Sequence, residues 1–326
     1  MRVLITGGAG FIGSHLAELC LERGDDVYLI DNLSTGSLDN IKHLEKHNHS
    51  RKRLWVTIDN VLNQEKMTEL VGHCDVTFHL AAAVGVQYIL DNPLSSIFTN
   101  IHGTETVLRL CNQFKKKILI ASSSEVYGKQ SYAPLKEADD CVYGPSSKSR
   151  WGYAATKLMD EFMGLAYYRS KQLPVIISRL FNTVGPRQTG SYGMVIPRFI
   201  KQAIENEPVT VYGNGTQTRT FTHVSDVVKV FLKLVETPRA FGEVINVGGS
   251  EEISILDLAH RIKKKVGSKS KIKVIAYEEV FPSDFEDMYR RVPSTEKLRK
   301  LVGFVPIKSL DEILDDVISY YQRSQS

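Results

Sequence analysis

In the segment "RWGYAATK", Tyr153 and Lys157 stand four residues apart in a helix-compatible stretch, so a phenol and an ammonium share one helix face, one turn apart. A free phenol ionises near pH ~10, and to act as a base at pH 7 its pKa must fall by about 3 units, or about 4 kcal/mol of preferential stabilisation of the phenolate. One nearby cation supplies about 1 to 3 units. Lys157 together with one further positive charge would meet the demand. A second polar group lies upstream, where the apolar run "ILIA" ends in "SSSEVYG", Ser122 to Gly128, three hydroxyls against one carboxylate. Ser123 can donate a hydrogen bond to an alcohol oxygen whose proton Tyr153 removes.

The further positive charge is suggested at the amino terminus. In "TGGAGFIG", Thr6 to Gly13, a strand turns into a helix through Gly7, Gly10 and Gly13 in GxxGxxG spacing. These serve a tight turn, backbone approach to a pyrophosphate and close helix packing. Asp31 ends the next strand at the spacing of a ribose 2′-hydroxyl acceptor, and a carboxylate there repels a 2′-phosphate, so NAD is favoured over NADP. The oxidised nicotinamide ring is the second cation. Asp59, after "LWVTI", reads equally as a turn residue or as an acceptor for the adenine amino group.

The elements that must carry these residues alternate in type. Strands are predicted at 2–6, 26–31, 54–58, 76–81, 117–122 and 174–180, separated by amphipathic helical patterns. That alternation predicts an α/β fold, a Rossmann-type doubly wound parallel sheet. After Leu180 the texture becomes rich in Gly, Pro and polar residues, which predicts a smaller mixed α/β substrate-binding domain. The expected division is 1–180 for the NAD-binding domain and 181–326 for the second. A stretch within 220–250, the helix "VSDVVKVFLKLVE" and the strand "EVINVG", is expected to return to the first sheet.

Composition narrows the class. With 326 residues, 42% hydrophobic, 24% charged and a net charge of +4, the chain is ordinary for a globular protein with a large core. The mild charge does not suggest nucleic acid, though it suits an anionic small substrate. Arg261 to Lys273, "RIKKKVGSKSKIK", reads as a solvated helix face and its following loop. Cys20, Cys74, Cys111 and Cys141 contain no CxxC pair and read as buried free thiols. His43, His47 and His49 match no metal spacing and read as a surface loop, so no metal is expected. The chain opens on a strand and contains no bilayer-spanning run, which makes the cytoplasm the expected location and excludes a membrane partner.

Together, "TGGAGFIG", "SSSEVYG" and "YAATK" resemble the extended short-chain dehydrogenase/reductase family that modifies nucleotide sugars, and later segments such as "FNTVGPRQTG" extend the resemblance over essentially the whole chain. The resemblance implies a Rossmann domain, tightly held NAD, a UDP-sugar substrate and a homodimer, its surface formed by the helices after Pro93 and around Tyr153. It implies cofactor contacts at Gly7, Gly10, Phe11, Ile12, Gly13, Asp31, Asn32, Ser34, Gly36, Asp59, Asn60, Leu80, Ala81, Ala82, Asn100 and Ser122, with Tyr153 and Lys157. Substrate contacts are implied at Tyr88, Ser124, Asn182, Val195, Pro197, Tyr212, Arg219 and Arg291.

Members of this family share a first step in which the tyrosine takes a sugar hydroxyl proton while hydride moves to NAD, and a 4-keto sugar results. Epimerases, decarboxylases and 4,6-dehydratases diverge there. Ser124 departs from the Asp-Glu pair of dehydratases, and Glu125 is similar to the glutamate of UDP-glucuronate decarboxylases. "MYRRVPSTEKL" resembles the arginine-proline segment of those decarboxylases, with Arg291 at their catalytic arginine. "AAAVGVQYILDNP" and "DNLSTG" are epimerase-like instead. The expected reaction is UDP-glucuronate decarboxylation to UDP-xylose or a UDP-4-keto-pentose, with UDP-glucose or UDP-glucuronate 4-epimerisation as the alternative and 4,6-dehydration third. The expected roles are Tyr153 as base, Lys157 as its electrostatic partner, Ser123 as hydroxyl donor, Glu125 as polar neighbour of the substrate carboxylate, and Arg291 as cation or proton donor. A non-catalytic NAD-binding regulator on the same fold would be expected to lack the Tyr and Lys, and both are present.

Overall fold

The β-branched runs of the first half become strands, the central ones buried on both faces as a parallel sheet sandwiched between helices requires, and the edge strand Leu54–Ile58 largely exposed. The computed structural model describes residues 1–44, 52–83, 92–148, 150–189, 194–280 and 288–325. Seven parallel strands lie in the spatial order Glu243–Val247, Val175–Leu180, Lys117–Ser123, Val76–His79, Arg2–Thr6, Asp26–Asp31 and Leu54–Ile58. Chain order reverses between Arg2–Thr6 and its neighbour Val76–His79, and a doubly wound sheet opens its crevice beyond the carboxyl ends at that point.

One face of the sheet packs the helices Phe11–Glu22 and Val224–Val235, with Leu16, Ala17, Val227 and Phe231 in a common core with Val3, Ile5 and Phe78. The other face packs Gln64–His73 and Pro93–Phe114 through Met67, Val71, Val107 and Cys111. The helix Arg150–Lys171 adds Met163 and Leu165 to that layer. At the sheet's edge Ile245 pairs with Ser178, and Val224–Val235 packs on the face that carries Phe11–Glu22.

A second core gathers the helices Val195–Ile204, Ile255–Val266 and Leu310–Gln325, with Phe199, Leu258 and Leu314 fully buried. The lysine-rich helix starts where Ser254 Oγ accepts the Asp257 N–H at 3.0 Å and ends at Gly267. Its last-turn lysines, 263 to 265, sit where the helix dipole favours cations. Beside this core, Thr218–Thr220 pairs with Glu252–Ser254 on one side and with Arg290–Arg291 on the other. Cys20, Cys74 and Cys111 are buried and Cys141 half-buried, all four as free thiols. Among the described residues no helix is long and apolar enough to cross a membrane.

Candidate active site

The carboxyl ends of the strands and the second core enclose a cavity of about 790 Å³, large enough to hold most of a sizeable ligand. Its floor is the glycine turn. Gly7 has φ +70, and a β-carbon on it would stand 2.9 Å from the Ala81 amide nitrogen. One on Gly13 would stand 2.1 Å from the Gly7 carbonyl oxygen, so only glycine lets helix and strand approach this closely. Gly10, Phe11 and Ile12 also line the cavity, and no side chain caps the helix that starts there. Uncapped first-turn amides and the helix dipole suit an anion.

Asp31 reaches the cavity from the end of its strand, its carboxylate accepting the Ala9 N–H at 3.0 Å and the Leu33 N–H at 2.8 Å. Burial lifts its pKa above the ordinary aspartate range, against the pull of those amides. Asn32, Ser34, Asp59 and Asn60 line the same end, and Gly36 packs against the Asp31 carboxylate rather than lining the wall. Asp59 both lines the cavity and holds its turn together, accepting from Asn60 N at 2.7 Å and Asn63 Nδ2 at 2.8 Å. Leu80, Ala81 and Ala82 form the facing wall. Asn100 stands behind that wall, its Oδ1 accepting the Ala83 N–H at 2.7 Å and its Nδ2 3.2 Å from Thr156 Oγ1, so it positions the wall without touching the cavity.

At the opposite end the strand Lys117–Ser123 runs into the short 3-10 turn Ser124–Tyr127, capped by Ser123 Oγ accepting the Glu125 N–H at 3.2 Å. Ser122, Ser123, Ser124, Glu125 and Tyr153 line the cavity together, joining two motifs that an irregular connection separates in the sequence. Ser122 commits its hydroxyl to Glu161 Oε1 at 2.6 Å. Glu161 in turn takes a bidentate pair of bonds from Arg179, at 2.9 and 2.7 Å. Lys157 does not reach the cavity wall. Its Nζ is buried on Asp160 Oδ2 at 2.7 Å. Removal from solvent raises the Tyr153 pKa, Lys157 pulls it back down, Glu125 and Asp160 push it up, and a hydrogen bond with Ser123 lowers it.

Arg291 crosses from the second sheet to this end, donating from Nη1 to Glu125 Oε1 and from Nη2 to Asn182 Oδ1. Asn182 is itself held by Nδ2 donating to the Thr220 carbonyl at 2.8 Å. In the ladder Arg291 is level with Arg219, so two guanidinium groups enter the cavity side by side. Val195, Pro197 and Tyr212 line the far end. Tyr88 falls outside the described residues.

Arg187, Arg198, Gln217 and Tyr277 also line the cavity, and sequence reading missed them. Arg198 lies 4.0 Å above the Tyr212 ring, an arginine adjoining Pro197 that one helical turn brings to the wall. Arg187, which donates to Glu18 and lies 2.6 Å from His15 Nδ1 through Nη2, sits in the "GPRQTG" loop with the left-handed φ of +67. Four arginines against three lining carboxylates, Asp31, Asp59 and Glu125, make the wall net cationic. No group of three His, Cys, Asp or Glu able to hold a metal occurs among the described residues.

A family model described as GDP-mannose 4,6 dehydratase matches residues 4–317. A UDP-N-acetyl-alpha-D-glucosaminuronate decarboxylase of Bacillus cytotoxicus is 40% identical over 100% of this chain and 99% of its own length. UDP-glucuronic acid decarboxylase 1 of Danio rerio is 34% identical over 99% of this chain and 73% of its own. Among solved structures, a UDP-glucuronic acid 4-epimerase from Bacillus cereus, in complex with UDP-glucuronic acid and NAD, superposes with a TM-score of 0.88 at 31% identity, covering 99% of this chain and 100% of that one.

Proposed function

Because the chain belongs to the extended short-chain dehydrogenase/reductase family of nucleotide-sugar enzymes, we propose that it decarboxylates a UDP-hexuronate through a 4-keto intermediate. It is an NAD-dependent enzyme. The glycine cradle, the uncapped helix and the Asp31 carboxylate fit the cofactor's pyrophosphate and ribose. When bound, the cofactor would supply the hydride acceptor for carbon 4 of the sugar.

The observation that carries decarboxylation is the Arg291 guanidinium, held at the cavity wall by Glu125 and Asn182 beside Tyr153 and Ser123. A buried substrate carboxylate costs several kcal/mol unless donors surround it. Arg291 Nε is buried without a hydrogen-bond partner among the described residues, so the guanidinium keeps an uncompensated donor at the site. Tyr153 takes the 4-hydroxyl proton and Ser123 hydrogen-bonds the same oxygen. Once carbon 4 is a ketone, the carboxylate is β to it. The bond from carbon 5 to carbon 6 breaks, carbon dioxide leaves, and the electron pair becomes an enolate on the 4-oxygen, next to Ser123 and the protonated Tyr153. Arg291 orients the carboxylate and donates on the side where carbon 5 is reprotonated. Arg219 takes the diphosphate, a fit for its guanidinium, and Tyr212 with Pro197 flanks the nucleobase.

UDP-glucuronate giving UDP-xylose or the UDP-4-keto-pentose is the substrate read from sequence, and the 40% relative brings its 2-acetamido analogue alongside. A UDP-glucuronate 4-epimerase is the second reading, favoured by the full-length likeness to the Bacillus cereus enzyme. Residues 1–180 with the returning 220–250 stretch bind the cofactor, and the remainder binds the nucleotide sugar. A homodimer through the helices Pro93–Phe114 and Arg150–Lys171 is supported by Leu94, Phe98 and Phe162, exposed to 68%, 51% and 60%. Incubation of each UDP-uronate with NAD, followed by chromatography of the nucleotide sugars, separates the readings. A pentose product is expected. A 4-epimeric uronate as the sole product contradicts decarboxylation.

A further inference from the structure

Behind the reactive tyrosine runs a line of buried polar groups from three other elements. Thr6 Oγ1 accepts the backbone N–H groups of Leu80 at 3.2 Å and Ala81 at 3.1 Å, which leaves its own hydrogen for His79 Nδ1 at 2.8 Å. A neutral imidazole that accepts at Nδ1 carries its hydrogen on Nε2, and that nitrogen lies 3.1 Å from Thr104 Oγ1. Burial keeps His79 neutral, its pKa pushed down to about 3. Burial lifts the Asp160 carboxyl above the ordinary aspartate range, against the pull of Lys157 and of Thr104 beside it, and its Oδ1 has no hydrogen-bond partner among the described residues. Asp160 Oδ2 then accepts from Lys157 Nζ at 2.7 Å, with both side chains out of solvent. The hydrogen-bonded line from Thr6 stops at Thr104, and beyond it the lysine is held by a buried carboxylate three residues further along its own helix.

Resting on the reading of Tyr153 as the base, we propose that Asp160 is a positioning residue for proton transfer. It anchors the Lys157 ammonium one turn from Tyr153 and offsets part of its charge, and so sets the pH at which the phenol exchanges its proton. Tyr153 also faces Glu125 from the Ser124–Tyr127 turn, and Lys157 faces Glu161, which Arg179 holds from the strand Val175–Leu180. His79 faces Lys157 from the strand Val76–His79 but carries no charge. Asp160 is thus the anion in direct contact with the ammonium. Glu161 is already committed elsewhere. The consequence is a tyrosine that Lys157 alone does not ionise.

The test is Asp160→Asn in protein labelled at the tyrosine ζ-carbon, with the Tyr153 resonance identified by its loss in Tyr153→Phe. Titrated without added cofactor, the Tyr153 midpoint is expected about 1 pH unit lower in Asp160→Asn than in the wild type. The ascending limb of kcat/KM is expected to move the same way. Asp160→Ala removes the same charge without an amide to satisfy, and is expected to give the same displacement. A midpoint unmoved or displaced upward overturns the proposal, as does failure of both variants to fold, which would assign Asp160 to the fold alone. The base reading is judged separately. Turnover by Tyr153→Phe at the wild-type rate contradicts that reading, whereas an inactive Tyr153→Phe with an unmoved Asp160→Asn midpoint contradicts only the role of Asp160.

Discussion

Glu161→Gln strands a guanidinium in the core. Arg179 is 5% exposed and Glu161 3% exposed, and the pair is bidentate, with Arg179 Nε 2.9 Å from Oε1 and Nη2 2.7 Å from Oε2. Ser122 Oγ adds a third bond to Oε1 at 2.6 Å, and Arg179 lies 4.6 Å over the Tyr127 ring. Glutamine keeps the shape, but one of its terminal atoms now donates toward donors, and the arginine loses its counter-ion without regaining water. Breaking a buried pair from one side costs about 3 to 5 kcal/mol, a large share of the roughly 5 to 15 kcal/mol that holds a domain folded. At about 2 °C per kcal/mol for a large domain, the melting temperature is expected to fall by about 6 to 10 °C. The assay is urea denaturation at pH 7, where the midpoint moves and the slope does not. Glu161→Leu with Arg179→Met removes both charges at similar volume and is expected to recover most of the loss. A single variant within about 1 kcal/mol of wild type, or a double variant less stable than the single one, refutes the reasoning.

Arg291→Lys keeps the charge but cannot bond both Glu125 and Asn182 as the fork does, and kcat/KM is expected to fall about 10- to 100-fold with stability near wild type. Steady-state kinetics within threefold of wild type would contradict a role in the reaction. Asp31→Ser removes the charge that repels a 2′-phosphate, so calorimetry is expected to show weaker NAD binding, by about 10-fold, and relatively stronger NADP binding. An unchanged preference would place the discrimination elsewhere. Burial holds His79 at about 3 and His223 at about 4, both below the unfolded value, so the unfolded chain takes up these protons first. Their contribution is whole above pH ~6.5 and is lost as pH falls toward the folded values, at about 1 kcal/mol per pH unit for each. Unfolding free energies at pH 7 and 5 measure this slope. His223→Gln is expected to flatten it, and an identical slope would refute the assignment.

The sheet was legible because its central strands are buried on both faces and read as short β-branched runs, while the edge strand Leu54–Ile58 is largely exposed and was readable by its β-branched and aromatic residues alone. Strand ends were less so. "VTFHLA" continues apolar to Ala81, yet the strand stops at His79: the Leu80 amide is shared between the Thr6 carbonyl and Thr6 Oγ1, and the Ala81 amide goes to Oγ1. The glycine turn, Asp31, Ser123 and Tyr153, singled out by residue type and spacing taken together, line one cavity. Asn100, expected at the cofactor, is bonded to Ala83, and Lys157, expected as the electrostatic partner of Tyr153 and at the cofactor, is bonded to Asp160, packing that spacing alone does not encode. Asp160 itself sits in plain view in "KLMD", but nothing in one sequence tells a buried helical acid from a solvated one. Arg187 and Arg198 escaped for a related reason, since their approach to the cavity depends on a loop with positive φ and on packing between the two cores.

Decarboxylation is tested most directly with UDP-hexuronate labelled with ¹³C at carbon 6, followed by NMR in the presence of NAD. Labelled carbon dioxide and bicarbonate are expected to appear at the rate at which uronate disappears, and Tyr153→Phe is expected to abolish both signals. Conversion of the labelled uronate into its 4-epimer, with the label still in the carboxylate and no carbon dioxide formed, would contradict the proposed function.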